Sequence, residues 1–135
     1  MSQPGHLVYS PHDYRNTVYA QSFFRAADFP DNMTAIFERR WGHAQREGIA
    51  PLWLGEFGSQ LNDPLDQGWF SALSNYPTTG GATGASWSWW SIDPSSVDVG
   101  GSLQADWQTP SPLVLATLQP LLRAGPPAAS EPLSL

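Results

Sequence analysis

Residues 49–57 form a nearly unbroken apolar run, Ile-Ala-Pro-Leu-Trp-Leu-Gly-Glu-Phe, and Glu56 is its only charge. Such a run fits a strand buried on both faces, as parallel strands covered by helices are. It points to an α/β architecture, and it isolates a carboxylate that must be desolvated, partnered or functional.

The flanking segments extend the pattern. Residues 6–10, His-Leu-Val-Tyr-Ser, sit between Pro4-Gly5 and Pro11 and read as a short strand running on to His12-Asp13-Tyr14. Residues 15–30 show no clean period and read as a long loop. A helix opens at Pro30-Asp31-Asn32, carries Met33, Ile36, Phe37, Trp41 and Ala44 at three-and-four spacing, and closes at Gly48. Asp63-Pro64 starts another, with Leu65, Trp69, Leu73 and Tyr76 on one stripe before Pro77. Residues 78–84 are a turn-rich connector, and residues 86–92 alternate small polar with aromatic side chains as a third strand. A Gly-rich loop over 93–108 and a last helix over about 111–122 follow. Beyond Arg123 too few large apolar residues remain to pack. Residues 1–123 are therefore expected to form the folded unit, and 124–135 a disordered tail or the start of a linker.

Strand, helix, strand, helix, strand, helix is the signature of parallel βαβ units. A closed (β/α)8 barrel takes roughly 250 residues, so three units amount to about three-eighths of one.

Charge and composition remove other classes. The 135 residues carry a formal charge of −6, and the six basic residues are all Arg, scattered at 15, 25, 39, 40, 46 and 123. A nucleic-acid phosphate backbone calls for a basic stripe, so no nucleic-acid partner is expected. The chain has no Cys, which excludes a disulfide framework and Cys-ligated metal but leaves the redox compartment open. No run of about 18 apolar residues suggests a membrane span, and residues 1–30 show no signal-peptide pattern. His6, His12 and His43 have no ligand spacing, so neither a metal nor another cofactor is expected. Aromatic residues make up 13%, including seven Trp, and charged residues only 13%, against roughly 25% charged in ordinary soluble domains. Either the core is unusually aromatic or a surface uses rings to bind something.

Strand alternation predicts which side chains meet. Glu56 is expected to share a face with Leu54 and Leu52, the barrel interior, with Trp53 and Phe57 pointing the other way. His12 and Tyr14 share a face with Ser10 and Val8, and Trp90 with Ser88 and Ser86. Three consecutive strands then finish with polar or aromatic side chains at the carboxyl end, where barrels of this kind keep their catalytic groups. The bland reading of Glu56 is a surface residue in a βα loop. A carboxylate with a Tyr, a His and a large ring in reach instead suits a sugar site. The carboxylate attacks or stabilises an anomeric carbon, the phenol orients it, and the indole packs on pyranose C–H groups.

These residues also carry a family likeness. Tyr-Ser-Pro-His-Asp-Tyr at 9–14, Trp-Leu-Gly-Glu-Phe-Gly at 53–58 and the Trp-rich strand before Val97-Asp98-Val99-Gly100-Gly101 resemble glycoside hydrolase family 5, and most closely its bacterial endo-β-1,4-glucanases. The resemblance runs from about residue 7 to residue 108 and covers the sixth, seventh and eighth strands of that family's TIM barrel. It implies a retaining glycosidase acting on β-1,4-glucan, or on mannan, with a secreted parent. In it Glu56 matches the nucleophile, His12 and Tyr14 match the strand-six pair lining the cleavage subsite, and Trp90 matches the sugar platform. Asp98, in the motif that follows, is a further candidate for substrate binding. Related cellulases often read Trp-Asn-Pro after the eighth strand where this chain has Ile92-Asp93-Pro94, which removes one sugar-stacking ring.

Retaining hydrolysis needs two carboxyl groups about 5–5.5 Å apart. In this family the acid sits between an Asn and a Pro at the end of strand four, and no Asn-Glu-Pro occurs here. Glu38 and Glu47 fall on the helix between strands and Glu131 in the tail. The chain alone is thus expected not to turn over polysaccharide, and to need a complementary N-terminal barrel segment. An open three-stranded parallel sheet with two bare edges is also expected to be marginal or to aggregate.

Two other readings compete. One is a non-catalytic carbohydrate-binding protein that stacks sugars on exposed Trp residues, although such modules are commonly β-sandwiches. The other is an unrelated α/β protein whose Trp residues are simply core.

Overall fold

The computed structural model of the chain describes residues 6–76 and 84–123. The tail expected over 124–135, and all but Gly84 of the connector expected over 78–84, lie outside the described residues. Among the described residues no helix is long and apolar enough to cross a membrane.

Two parallel strands, β1 (Trp53–Phe57) and β2 (Ser86–Trp89), form the regular sheet. The expected first strand is present only in part. Residues 9–13 run alongside β1 through two parallel bridges, Tyr9 to Leu52 and His12 to Glu56. The amides of Tyr9 and Asp13 donate to the carbonyls of Pro51 and Glu56, and those of Trp53 and Gly55 to Tyr9 and Pro11. Pro11 has no N–H to give, which interrupts the ladder.

The helix expected from residue 30 divides into three pieces: α1 (Met33–Phe37), a π turn (Glu38–Gly42) and α2 (His43–Arg46). Its apolar spacing nevertheless buries Met33, Ile36, Phe37, Trp41 and Ala44. The span read as loop, 15–30, contains a short 3-10 helix at Ser22–Arg25 that buries Phe24.

The helix α3 (Pro64–Asn75) starts as its sequence dictates, with Asp63 as N-cap accepting from the Leu65 amide at 2.8 Å and Pro64 in the first position. Trp69, Leu73 and Tyr76 are buried, while Asp66 rather than Leu65 completes the buried stripe. The last helix, α4 (Pro112–Arg123), contributes Val114, Leu118 and Leu121 to the core.

Leu52, Leu54 and Phe57 pack against residues of α1, α3 and α4, so the core lies on the helix side of the sheet. Burial of each such side chain contributes about 1.5–3 kcal/mol. Phe57 is ringed by Phe70, Trp87 and Trp89. The other face is open, and Trp53 remains 48% exposed there, bonded through its indole N–H to Ser88 Oγ at 2.9 Å.

This arrangement corrects the alternation expected for β1. Leu52 and Leu54 do not share the face of Glu56. They point into the helices with Phe57, and Trp53 points to the open side. The cause is one extra residue in β1. Leu54 pairs with Trp87 and Phe57 with Trp89, so three steps along β1 oppose two along β2. On the other side, Leu52 to Glu56 opposes Tyr9 to His12, four steps against three. A bulge of this kind breaks the alternation and places Gly55 and Glu56 on one side. The expected parity of β2 fits the structure, with Trp87 and Trp89 packed on the core and Ser86 and Trp90 exposed.

Candidate active site

The bulge delivers Glu56 to the open side at the carboxyl end of β1. Gly55 makes the approach possible: a Cβ there would lie 2.3 Å from Ser10 Oγ and 3.3 Å from the His12 ring. Gly58 plays the same part toward β2, since a Cβ there would meet the Trp90 carbonyl oxygen at 1.8 Å.

Three predicted residues come together at this end. Tyr14 Oη donates to Glu56 Oε2 at 2.7 Å, and His12 Nδ1 lies 3.3 Å from the same oxygen. Glu56 Oε1 has no hydrogen-bond or ion-pair partner among the described residues. The His12 and Glu56 side chains are 50% and 30% exposed, so a ligand can reach them from solvent. Burial pushes the Tyr14 phenol well above the ordinary tyrosine value, and the hydrogen bond to Glu56 and the charges of Glu56 and Asp98 push it further. The phenol is therefore a neutral donor at neutral pH.

Trp90 follows directly on β2 and is half exposed, and its amide donates to the Phe57 carbonyl at 2.9 Å, one residue beyond Glu56. Beside it lies a hollow of about 460 Å³ lined by Trp89, Trp90, Ser91, Ile92, Asp93 and Ser96. Asp98 has an exposed side chain, and its carbonyl is held by the Arg15 guanidinium.

Two buried polar clusters behind these residues were not singled out from the sequence as functional. Asp13 accepts from the indole N–H groups of Trp41, at 3.0 Å, and Trp69, at 2.8 Å. Arg15 pairs with the fully buried Asp66 at 2.9 Å, and Asp66 Oδ2 also accepts from Thr17 at 2.9 Å and Ser59 at 3.2 Å. The available signal was Asp66 standing on the apolar stripe of α3 with Trp69 and Leu73. Glu38 accepts from Tyr76 and Arg46, and Glu47 from Arg46, so both are engaged elsewhere. Among the described residues no three His, Asp or Glu side chains gather as a cation site.

The family model of cellulase, glycosyl hydrolase family 5, matches residues 1–96. The chain belongs to glycosyl hydrolase family 5. The family match includes His12, Tyr14, Glu56 and Trp90 and stops short of Asp98. Among family relatives, an endoglucanase of Paenibacillus polymyxa is 41% identical over 109 residues, covering 78% of this chain and 26% of its own length. The major extracellular endoglucanase of Xanthomonas campestris pv. campestris is 42% identical over 104 residues, covering 75% of this chain and 20% of its own. This family 5 chain thus spans about a quarter or less of those relatives. The solved catalytic domain of the Xanthomonas enzyme superposes with a TM-score of 0.76 at 35% identity, covering 88% of this chain and 34% of that one. The endocellulase of Pyrococcus horikoshii in complex with cellotetraose superposes with a TM-score of 0.75 at 34% identity, covering 85% and 31%. The chain is accordingly a partial α/β unit of a family 5 catalytic domain.

Proposed function

We propose that this chain is the nucleophile-bearing, C-terminal part of a retaining endo-β-1,4-glucanase, comprising strands six to eight of its barrel. The observation that carries the reading is the convergence of Tyr14 and His12 on one oxygen of Glu56. With Oε2 taken by the Tyr14 hydroxyl and bordered by His12, Oε1 is the oxygen left to attack the anomeric carbon. The glycosidic bond breaks as a covalent glycosyl ester forms on Glu56, and water later releases the sugar. Tyr14 orients the carboxylate, His12 borders the same subsite, and Trp90 offers its indole face to a pyranose ring. Asp98, held near Tyr14, is the candidate for a hydroxyl contact.

Protonation of the leaving oxygen needs a second carboxyl group about 5–5.5 Å from Glu56. Glu38 and Glu47 are committed to other partners, so a complementary N-terminal barrel segment supplies it, and the 135 residues alone do not turn over glucan. The extracellular Xanthomonas relative supports a secreted parent.

The test joins the full chain behind the N-terminal part of the Xanthomonas catalytic domain and treats the product with a 2-deoxy-2-fluoro cello-oligosaccharyl fluoride, whose anomeric fluoride departs as the glycosyl ester forms and whose 2-fluorine slows hydrolysis of that ester. Mass spectrometry is expected to find the label on the peptide containing Glu56, and none on the chain alone. A label on another residue, or turnover by the chain alone, would overturn the reading.

A further inference from the structure

We propose that Asp13 is a positioning residue, one that sets the Tyr14–Glu56 pair by fastening the strand end between them to two helical segments at once. The inference rests on the reading of Glu56 as nucleophile only for its effect on catalysis.

Asp13 is 4% exposed, and each of its carboxyl oxygens has its own indole donor. Trp41 belongs to the π turn and Trp69 to α3. Neither ring is free to move, because Trp41 packs on Phe37 and Tyr76, and Trp69 on Phe70. The Asp13 amide meanwhile donates to the carbonyl of Glu56 at 3.0 Å. One residue is therefore pinned by its side chain to the helix layer and by its backbone to the residue that carries the nucleophilic group. Alternation along an extended chain then turns His12 and Tyr14 toward the open side, where both reach Glu56 Oε2. Groups must sit within a fraction of an ångström of the reacting geometry for full effect. Two rigid indoles from different helical segments are a means of imposing that precision on a segment whose own ladder Pro11 interrupts.

The chemistry of the carboxyl group explains why Asp is needed. Two N–H donors converge from different directions, and only a group with two acceptor oxygens satisfies both. An Asn keeps the shape but turns an NH2 toward one indole N–H, which leaves that donor unpaired inside the core.

The test uses the full chain joined behind the N-terminal part of the Xanthomonas catalytic domain, with cellotetraose as substrate. Tyrosine labelled with carbon-13 at Cζ reports the Tyr14 hydrogen bond, its signal assigned through Tyr14→Phe. Asp13→Asn is expected to lower kcat by about 10- to 100-fold with KM changed less than about threefold. The Tyr14 Cζ signal should move at the same time toward that of an exposed tyrosine. Trp41→Phe and Trp69→Phe should shift both readouts in the same direction by less. A folded Asp13→Asn with kcat within about twofold of the parent, or with the Tyr14 signal unmoved, would overturn the proposal. If Asp13→Asn does not fold, the two Trp variants decide, and unchanged kcat in both overturns it. Full activity in Glu56→Gln together with a moved Tyr14 signal in Asp13→Asn would instead sink the nucleophile assignment and leave the positioning role standing.

Discussion

Tyr14 donates its phenolic hydrogen to Glu56 Oε2 at 2.7 Å across 42 positions of sequence, and the bond joins the ends of two adjacent parallel segments. A hydrogen bond to a charged group is worth about 1.5–3 kcal/mol. Tyr14→Phe in the completed barrel should therefore reduce kcat/KM by about 10- to 100-fold, read by steady-state kinetics on cellotetraose. The same phenol sets a pH dependence. Its value in the folded chain is raised above the ordinary 10, so as pH rises through 10 the unfolded chain releases this proton first. Folding stability then falls with increasing pH in the alkaline range. Denaturant unfolding above pH 10 should show the decline in the parent and a flatter profile in Tyr14→Phe.

Glu56→Gln separates catalysis from folding. The amide keeps the shape of the side chain but cannot form a glycosyl ester, so the completed barrel should lose about 10⁴-fold or more in kcat. The Glu56 side chain is partly exposed and its partner His12 more so, pairs of that kind contribute about 0–1 kcal/mol, and the Gln amide oxygen still accepts from the Tyr14 hydroxyl. The unfolding midpoint of Glu56→Gln should stay close to the parent's, so that lost activity cannot be ascribed to lost structure.

Much of this site was legible in the sequence, and the parts that were not have identifiable causes. Glu56 stood out because a carboxylate in an apolar strand needs a reason. Tyr14, His12 and Trp90 stood out because they end neighbouring segments at the same side. The faces of Leu52 and Leu54 were misread because strict alternation has no place for an extra residue, and a bulge is set by how two neighbouring strands pair rather than by β1 alone. The π turn in the helix after residue 32 leaves the apolar spacing intact and so leaves no trace in it. Asp13 passed as one more residue of a strand end, because the two indoles that hold it lie 28 and 56 positions away.

The Arg15–Asp66 pair gives a stability prediction that depends on whether one partner or both are removed. Both side chains are buried, at 4% and 0% exposure, and Asp66 is further held by Thr17 and Ser59. Arg15→Met strands the Asp66 carboxylate in the core and should destabilise the fold by about 3–5 kcal/mol. Removing both charges, as Arg15→Met with Asp66→Leu, should recover much of that loss. Chemical denaturation of the two single variants and the double variant closes the cycle. Additive losses would mean that the two groups do not interact across the pair.

Asp13 makes stability depend on pH in the acid range. Burial raises its carboxyl above the ordinary 3.8 by more than the two indole bonds and the nearby Arg40 lower it. In the window above 3.8 the folded chain therefore holds a proton that the unfolded chain has released, and stability decreases as pH rises through it. Asp13→Asn has no proton to release, so its profile should lack that decrease whatever its absolute stability. Urea unfolding at closely spaced values upward from pH 4 reads the difference in slope. Parallel profiles would mean that Asp13 titrates alike in both states.

The open face of the sheet predicts how the chain behaves by itself. Parallel sheets are ordinarily covered on both faces, yet among the described residues only the helix side is covered, and Val8, Tyr9, Trp53, Trp90 and Ile92 are all exposed. The outer edges of residues 9–13 and of β2 have no neighbouring strand among the described residues. Bare parallel edges beside exposed rings favour association between chains. Sedimentation velocity should show species larger than a monomer that grow with concentration, with broad near-ultraviolet Trp bands. Joining the chain behind the N-terminal part of a family 5 domain covers both edges and should give a monomer with sharp bands. A chain that alone stays monomeric and melts cooperatively would mean that the core between β1 and the helices, built on Phe57, Trp69 and Leu73, is sufficient without a closed barrel.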